Sequence, residues 1–159
     1  MVTLEYHVDR RDAWGFAAGR AGELLSWGLL PGQRVELVAT TSTDYLITWM
    51  ACLLAGLPVA LVNPTYPDEL VDRMLEPLDP TLVLRPDQIA LARTNRGSLT
   101  ELPGLAVDRF AIASFMHTSG TTGLPKFCAQ SHDYFARIAE AMSAALELRP
   151  DRRVILSEP

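Results

Sequence analysis

The residues able to do chemistry concentrate in one stretch, His117-Thr118-Ser119-Gly120-Thr121-Thr122-Gly123-Leu124-Pro125-Lys126. From Thr118 to Thr122 every residue is Gly, Ser or Thr, so the backbone can approach a ligand while amide N–H groups and hydroxyls face its oxygens. Those are the donors a phosphate group needs. Lys126 adds a compact positive charge, and a charge-assisted hydrogen bond to phosphate is worth about 1.5–3 kcal/mol where water is partly excluded. Pro125 stiffens the lysine's approach. A polar surface turn without a ligand is the structural alternative.

The P-loop of ordinary NTPases places four residues between its first Gly and a Gly-Lys-Ser/Thr that opens a helix. Here Gly120 and Gly123 stand too close together, Lys126 follows Pro125, and Phe127-Cys128-Ala129 reads as a short strand. The run Thr118-Ser119-Gly120-Thr121-Thr122-Gly123-Leu124-Pro125-Lys126, followed by Ser131-His132, instead resembles the phosphate-loop signature of the AMP-forming adenylate enzymes: acyl-CoA synthetases, luciferases and peptide-synthetase adenylation domains. Two positions depart from that pattern. Phe127 stands where a glycine is expected, and His117 where Tyr or Phe is usual.

The elements that must position this loop come from the rest of the chain. Its 159 residues are 48% hydrophobic, enough for one compact domain burying about 68–70% of its unfolded surface. A formal charge of −5 and a pI near 5.1, without a basic run, argue against nucleic acid or an anionic membrane as the main partner. Cys52 and Cys128 stand far apart, which disfavours metal or dithiol chemistry and reads as two reduced, mostly buried side chains. Residues 1–12 lack a signal peptide's apolar segment, so the expected compartment is the cytoplasm.

In chain order, residues 2–6 suit a strand, and Asp9 or Asp12 caps a helix whose apolar face is Trp14, Ala17, Ala18, Ala21, Leu24 and Leu25. Gly28 and Pro31 stop it. Residues 34–39 suit a buried strand, and residues 40–43 a polar loop with an N-cap. The uncharged run 45–62 is long enough for a membrane span, but Gly56 and Pro58 divide it into a helix ending near Ala55 and a strand over 59–62. Asn63-Pro64 turns the chain. A helix starting within 65–69 then has Leu70, Met74 and Leu75 facing inward. Residues 81–84 suit a strand, 86–93 a short helix and 94–104 a connector. Residues 110–116 read as a buried strand entering the loop, and 126–129 return from it. Ser131 caps a long helix with an apolar face of Phe135, Ile138, Ala139, Met142, Ala145 and Leu146, and residues 154–156 suit a last strand. Trp14, Trp27 and Trp49 read as core or core-edge residues. The alternation predicts a layered α/β fold, a largely parallel sheet with helices on both faces.

The same fold follows from the resemblance, which covers residue 15 onward and matches the first part of the large N-terminal domain of acyl-adenylate-forming enzymes. Leu30-Pro31-Gly32-Gln33-Arg34-Val35, Leu54-Ala55-Gly56 and Leu61-Val62-Asn63-Pro64 also resemble family segments. The resemblance implies that ATP and a carboxylic acid, with Mg²⁺, give an acyl-adenylate and pyrophosphate, and that coenzyme A or a carrier-protein thiol then takes the acyl group. Thr118, Ser119, Thr121 and Thr122 would offer hydroxyls to the phosphates, Gly120 and Gly123 close backbone, and Lys126 charge. No catalytic nucleophile and no metal ligand is expected among these residues. His132 matches the family's histidine, where it contacts substrate or pyrophosphate or seats the following helix. His117 fills the aromatic position.

The family's adenine, ribose and lid motifs are not found, so the chain is expected to be a single partial AMP-binding domain, residues 1–159, inactive alone and completed by further sequence or by a second chain. A non-catalytic ATP- or pyrophosphate-binding module and a degenerate remnant with an aggregation-prone sheet edge are the alternatives. The acyl substrate is not legible. Lys126-Phe127-Cys128-Ala129-Gln130 with Tyr134-Phe135 resembles carnitine-CoA-ligase-like members and a setting in fatty acid metabolism.

Overall fold

The computed structural model describes residues 8–90, 92–100, 102, 107–118 and 125–149. The strands expected over 2–6 and 154–156 and the loop interior, Ser119, Gly120, Thr121, Thr122, Gly123 and Leu124, lie outside the described residues.

Helix α1 (Arg10–Ser26) is capped by Asp9, whose carboxylate accepts the Asp12 amide. Strand β1 (Val35–Val38) follows, then α2 (Thr43–Leu54), capped by Ser42, and β2 (Val59–Val62). Helix α2 ends in a Schellman motif: Gly56, at φ +66°, donates to Leu53 and Leu57 donates to Cys52. That left-handed residue turns the chain straight into β2. Helix α3 (Asp68–Leu75), β3 (Leu82–Leu84), the single turn α4 (Pro86–Ile89), the hairpin β4 (Ile112–His117) and β5 (Phe127–Ser131), and α5 (His132–Ala145) complete the order.

The sheet runs β3-β1-β2-β4-β5, with the first four strands parallel and β5 antiparallel to β4. Successive side chains leave a strand on opposite faces. Val35, Leu37, Val59 and Leu84 accordingly meet Ala21 and Leu24 of α1, Ala51 and Cys52 of α2, and Ile89 of α4. Val38, Ala60, Val62 and Phe115 meet Val71 and Leu75 of α3 on the other side. Helices therefore cover both faces of the sheet, as its hydrophobic strands require.

Several details differ from the sequence expectations. Helix α1 packs through its alanines, which let α2 come close, and Trp14 at the overhanging first turn is exposed. Trp27 falls at the C-cap and is also exposed, lying under the guanidinium of buried Arg20. Val71 rather than Leu70 joins Met74 and Leu75 inside α3, because the true helix phase begins at Asp68. Helix α4 stops at Ile89; Ile89 and Ala92 plug into the core, and Arg93 pairs with Asp44 at 2.5 Å. The connector that follows lies against α1, where a Cβ on Gly19 would stand 2.4 Å from the Asn95 carbonyl oxygen.

Phe110 precedes β4 in a turn closed by Asp108 and is exposed; only Ala113, Ser114 and Phe115 of that strand are buried. Cys52 is buried and its thiol is pushed up to about 12 by desolvation, whereas Cys128 on edge strand β5 is exposed. The apolar stripe of α5 is present, but no residue of that helix is buried. Among the described residues, no helix is long and apolar enough to cross a membrane.

One buried group has no counterpart in the periodicity. Glu36 lies in β1 between Ala60 and Val83, fully buried, and neither carboxylate oxygen has a partner among the described residues. Burial lifts its carboxyl to about 7; the Arg85 charge opposes this shift and Asp72 adds to it.

Candidate functional site

Strands β1, β2 and β4 end at the same edge of the sheet because they are parallel. After β2 the chain turns back toward β3, whereas after β4 it turns outward into β5. Connections diverging from neighbouring strands open a crevice at their carboxyl ends, the usual ligand position in an open α/β sheet. Thr118 and Lys126, where the chain leaves β4 and returns to β5, stand at that edge.

Its neck is well defined. The Thr118 amide donates to the Lys126 carbonyl at 2.9 Å, and the Thr118 hydroxyl approaches the same oxygen at 3.4 Å. His117 and Phe127 face each other one register step below. Thr118 and Lys126 are thus brought together at the loop's mouth. The Lys126 side chain is exposed and forms no ion pair among the described residues, so its charge is available to a ligand. It edges a cleft of about 340 Å³ lined by Met74, Leu78, Phe115, Phe127 and Ala129. Ser119, Gly120, Thr121, Thr122 and Gly123 lie outside the described residues.

His132 is not brought to this mouth. Strand β5 carries the chain away, so that Ser131 pairs with Ile112 at the far end of the hairpin. Four strand steps lead from Phe127 to Ser131, roughly 14 Å at about 3.4 Å per step. At that end the His132 amide donates to the Ala111 carbonyl at 3.2 Å, and burial lowers the imidazole's pKa, favouring the neutral ring. The adjacent Asp133 accepts hydrogen bonds from Arg109 and Arg137, which hold its carboxyl below the usual range. These contacts pin the first turn of α5 to the segment entering β4.

The sequence reasoning assigned no chemistry to the Asn63-Pro64 turn, yet it belongs to the same edge. Asn63 accepts the Thr65 amide at 2.9 Å and the Thr65 hydroxyl at 2.8 Å, and the Tyr66 amide donates to the Asn63 carbonyl. The turn brings the Tyr66 ring to 5.5 Å from that of His117. Thr40, Thr41 and Ser42, after β1, add exposed hydroxyls to this edge. Only the parallel register could have revealed either group, because both are remote from the loop in sequence.

The residues present suit anionic phosphate oxygens: a free cation at the mouth of a loop rich in hydroxyls and glycine. Among the described residues no three His, Cys, Asp or Glu side chains cluster.

A layered α/β sheet from whose carboxyl edge a hydroxyl- and glycine-rich loop departs defines the class. The AMP-binding enzyme family matches residues 11–159, and the chain belongs to that family. The chain is 32% identical over 148 residues to 2-succinylbenzoate–CoA ligase of Escherichia coli, covering 84% of this chain and 31% of that protein. It is 25% identical over 156 residues to the nonribosomal peptide synthetase ivoA of Emericella nidulans, covering 87% of this chain and 9% of that one. Among solved structures, ATP-bound MatB from Rhodopseudomonas palustris superposes with a TM-score of 0.70 at 26% identity, over 87% of this chain and 32% of that chain. The o-succinylbenzoate CoA synthetase MenE of Bacillus subtilis shares the fold, with a TM-score of 0.76 at 17% identity over 92% of this chain and 42% of that one. The chain therefore spans between less than a tenth and about two-fifths of these relatives' lengths.

Proposed function

We propose that the 118–126 loop holds the β- and γ-phosphates of ATP in an adenylate-forming ligase reaction. A carboxylate attacks the α-phosphorus, forming the acyl-phosphate bond as pyrophosphate leaves, and a thiol then takes the acyl group and releases AMP. The observation that carries this reading is the exposed Lys126 side chain, without an ion pair among the described residues, beside the backbone hydrogen bond from Thr118 to the Lys126 carbonyl where the hydroxyl- and glycine-rich stretch leaves the carboxyl edge of β4. The family match and the ATP-bound relative support it.

In this reading Lys126, the hydroxyls of Thr118, Ser119, Thr121 and Thr122, and the amides around Gly120 and Gly123 steady charge that grows on the departing pyrophosphate. That work is electrostatic and requires no protein nucleophile. The weak 3.4 Å contact leaves the Thr118 hydroxyl free to turn toward a ligand. His132, at the other end of the hairpin, seats α5 and is read as lying outside the phosphate site. Mg²⁺ would arrive with the nucleotide, and no step is assigned to it.

The relatives' names include both a CoA ligase and peptide synthetases, one of them a carrier-protein ligase for L-allo-isoleucine. The proposed substrate class is accordingly a carboxylic acid activated for transfer to a thiol, either coenzyme A or a carrier-bound thiol. We place these 159 residues in the first part of an adenylating domain, with the adenine, ribose and lid contacts contributed from outside them.

Calorimetric titration with pyrophosphate and with ATP-Mg²⁺ tests the loop. Lys126→Ala should weaken binding about 10- to 100-fold, the loss of one charge-assisted contact, while the melting temperature stays unchanged because the side chain is exposed. Equal affinity in the variant and the wild type would remove the phosphate role.

A further inference from the structure

We infer that Tyr66, His117 and Phe127 form an aromatic clasp that positions the 118–126 loop, so that the Asn63-Pro64 turn after β2 sets the geometry of the Lys126 mouth. Only the effect on ligand binding rests on the phosphate reading above. The clasp itself rests on contacts at the loop's neck.

The Tyr66 and His117 rings lie 5.5 Å apart at 59°, and the His117 and Phe127 rings 6.4 Å apart at 82°. Both separations fall within the range of attractive aromatic pairs, and the second has the edge-to-face form in which a ring's positive rim meets a negative face. His117 and Phe127 are register partners, and the next residues outward, Thr118 and Lys126, close the neck by the 2.9 Å hydrogen bond. A displacement of either ring thus moves Lys126, which carries the charge and accepts that hydrogen bond, or Thr118, whose amide donates it. The third ring comes from another strand connection and braces the pair from the side.

His117 contributes through its shape. It is half-buried, and its Nδ1 is buried with no partner among the described residues. The two positions that depart from the phosphate-loop signature, His117 and Phe127, are therefore one contact, and the larger Phe127 side chain meets the ring that replaces Tyr or Phe. Tyr66 and Phe127 also pack against the cluster formed by Val38, Val62, Val71 and Phe115, which ties the clasp to the sheet face under α3.

The test uses the full chain and two readouts: hydrogen exchange of the Thr118 amide without ligand, and pyrophosphate affinity. Tyr66→Leu and His117→Leu should each lower Thr118 protection about five- to tenfold, the size expected from one or two lost ring contacts. The double variant should be no worse than His117→Leu, and His117→Phe should stay within about twofold of wild type because it keeps a ring in place. The Leu37 and Leu61 amides, in β1 and β2, serve as the control for folding and should not change.

Unchanged Thr118 protection in both leucine variants overturns the clasp, as does His117→Phe losing as much as His117→Leu. If one leucine variant fails to fold, the other decides: an about five- to tenfold loss of Thr118 protection upholds the clasp and unchanged protection overturns it. Pyrophosphate affinity separates the two readings. If protection follows the expected pattern and pyrophosphate does not bind, the clasp stands and the phosphate role fails. If binding depends on Lys126 while Thr118 exchange ignores the rings, the phosphate role stands and the clasp fails.

Discussion

Helices α2 and α5 are built alike and end differently. Each begins at a serine whose hydroxyl accepts an amide three residues on, Tyr45 from Ser42 and Tyr134 from Ser131, and each carries an acidic residue in its first turn and an apolar stripe along one side. Helix α2 buries Tyr45, Ile47, Thr48, Ala51 and Cys52 between α1 and the sheet. Helix α5 buries nothing. It touches β5, meets Trp49 through Phe135 at 5.4 Å, and is pinned at its start by Asp133. Capping and periodicity make a helix, but only a neighbouring surface makes its apolar face a core. The α1–α2 side of the molecule is therefore its stability reservoir. The hairpin and α5 form a lightly held arm that carries the loop.

The largest contrast should appear in thiol reactivity. Cys52 in α2 is fully buried with its pKa near 12, and Cys128 on β5 is exposed. A disulfide reagent should label Cys128 in the native protein at least about a thousandfold faster than Cys52, which reacts only after opening. Comparable rates would mean that α2 is not closed against the sheet. Next in size, Ile47→Ala should cost about 3 kcal/mol in urea unfolding, combining lost transfer energy with a cavity.

Glu36, on the face of β1 that α3 covers, adds a test from the other side of the sheet. Its folded carboxyl stands near 7 against an ordinary 4.5, so between those values the native state keeps a proton that the unfolded chain releases. Stability from this group is full below about pH 4.5, falls as the pH rises to about 7 and is flat above it, a total of up to about 3 kcal/mol. Unfolding titrations of wild type against Glu36→Gln should show that slope in the wild type alone, and parallel curves would mean the carboxyl is ionised in place. The smallest effect belongs to the arm. Ile138→Ala in α5 should leave stability within about 0.5 kcal/mol of wild type, since it removes an exposed side chain and adds a good helix former. A loss as large as that at Ile47 would show that a surface does cover α5 in solution.

Much of the arrangement was legible beforehand because the signals are local. Ser131 was readable as an N-cap, Asp9 as one of two candidates with Asp12, and the cap of α2 as one of residues 40–43, because short side-chain acceptors satisfy the first free amides wherever a helix starts. Gly56 with Pro58 marked the end of α2, and residues 59–62 matched β2 to the residue. Near the site, the return of the chain through Phe127 was visible as a strand. Tyr66 was not legible, because 51 residues separate it from His117 and only the parallel β2–β4 pairing brings them together. His132 seemed close to the loop in sequence, but an extended strand moves each residue about 3.4 Å farther away.

The sequence by itself indicated most of the helices, strands and turns among the described residues and which loop is rich in hydroxyls and glycine, since each depends on neighbours a few residues away. Strand order, and with it the crevice between β2 and β4, was decided by tertiary structure. So was the burial of Glu36 and the exposure of Trp14, Cys128 and the α5 stripe. The physical reason is that desolvation is a property of what lies across from a residue: the same apolar stripe is core when a sheet and a second helix face it, and surface when they do not.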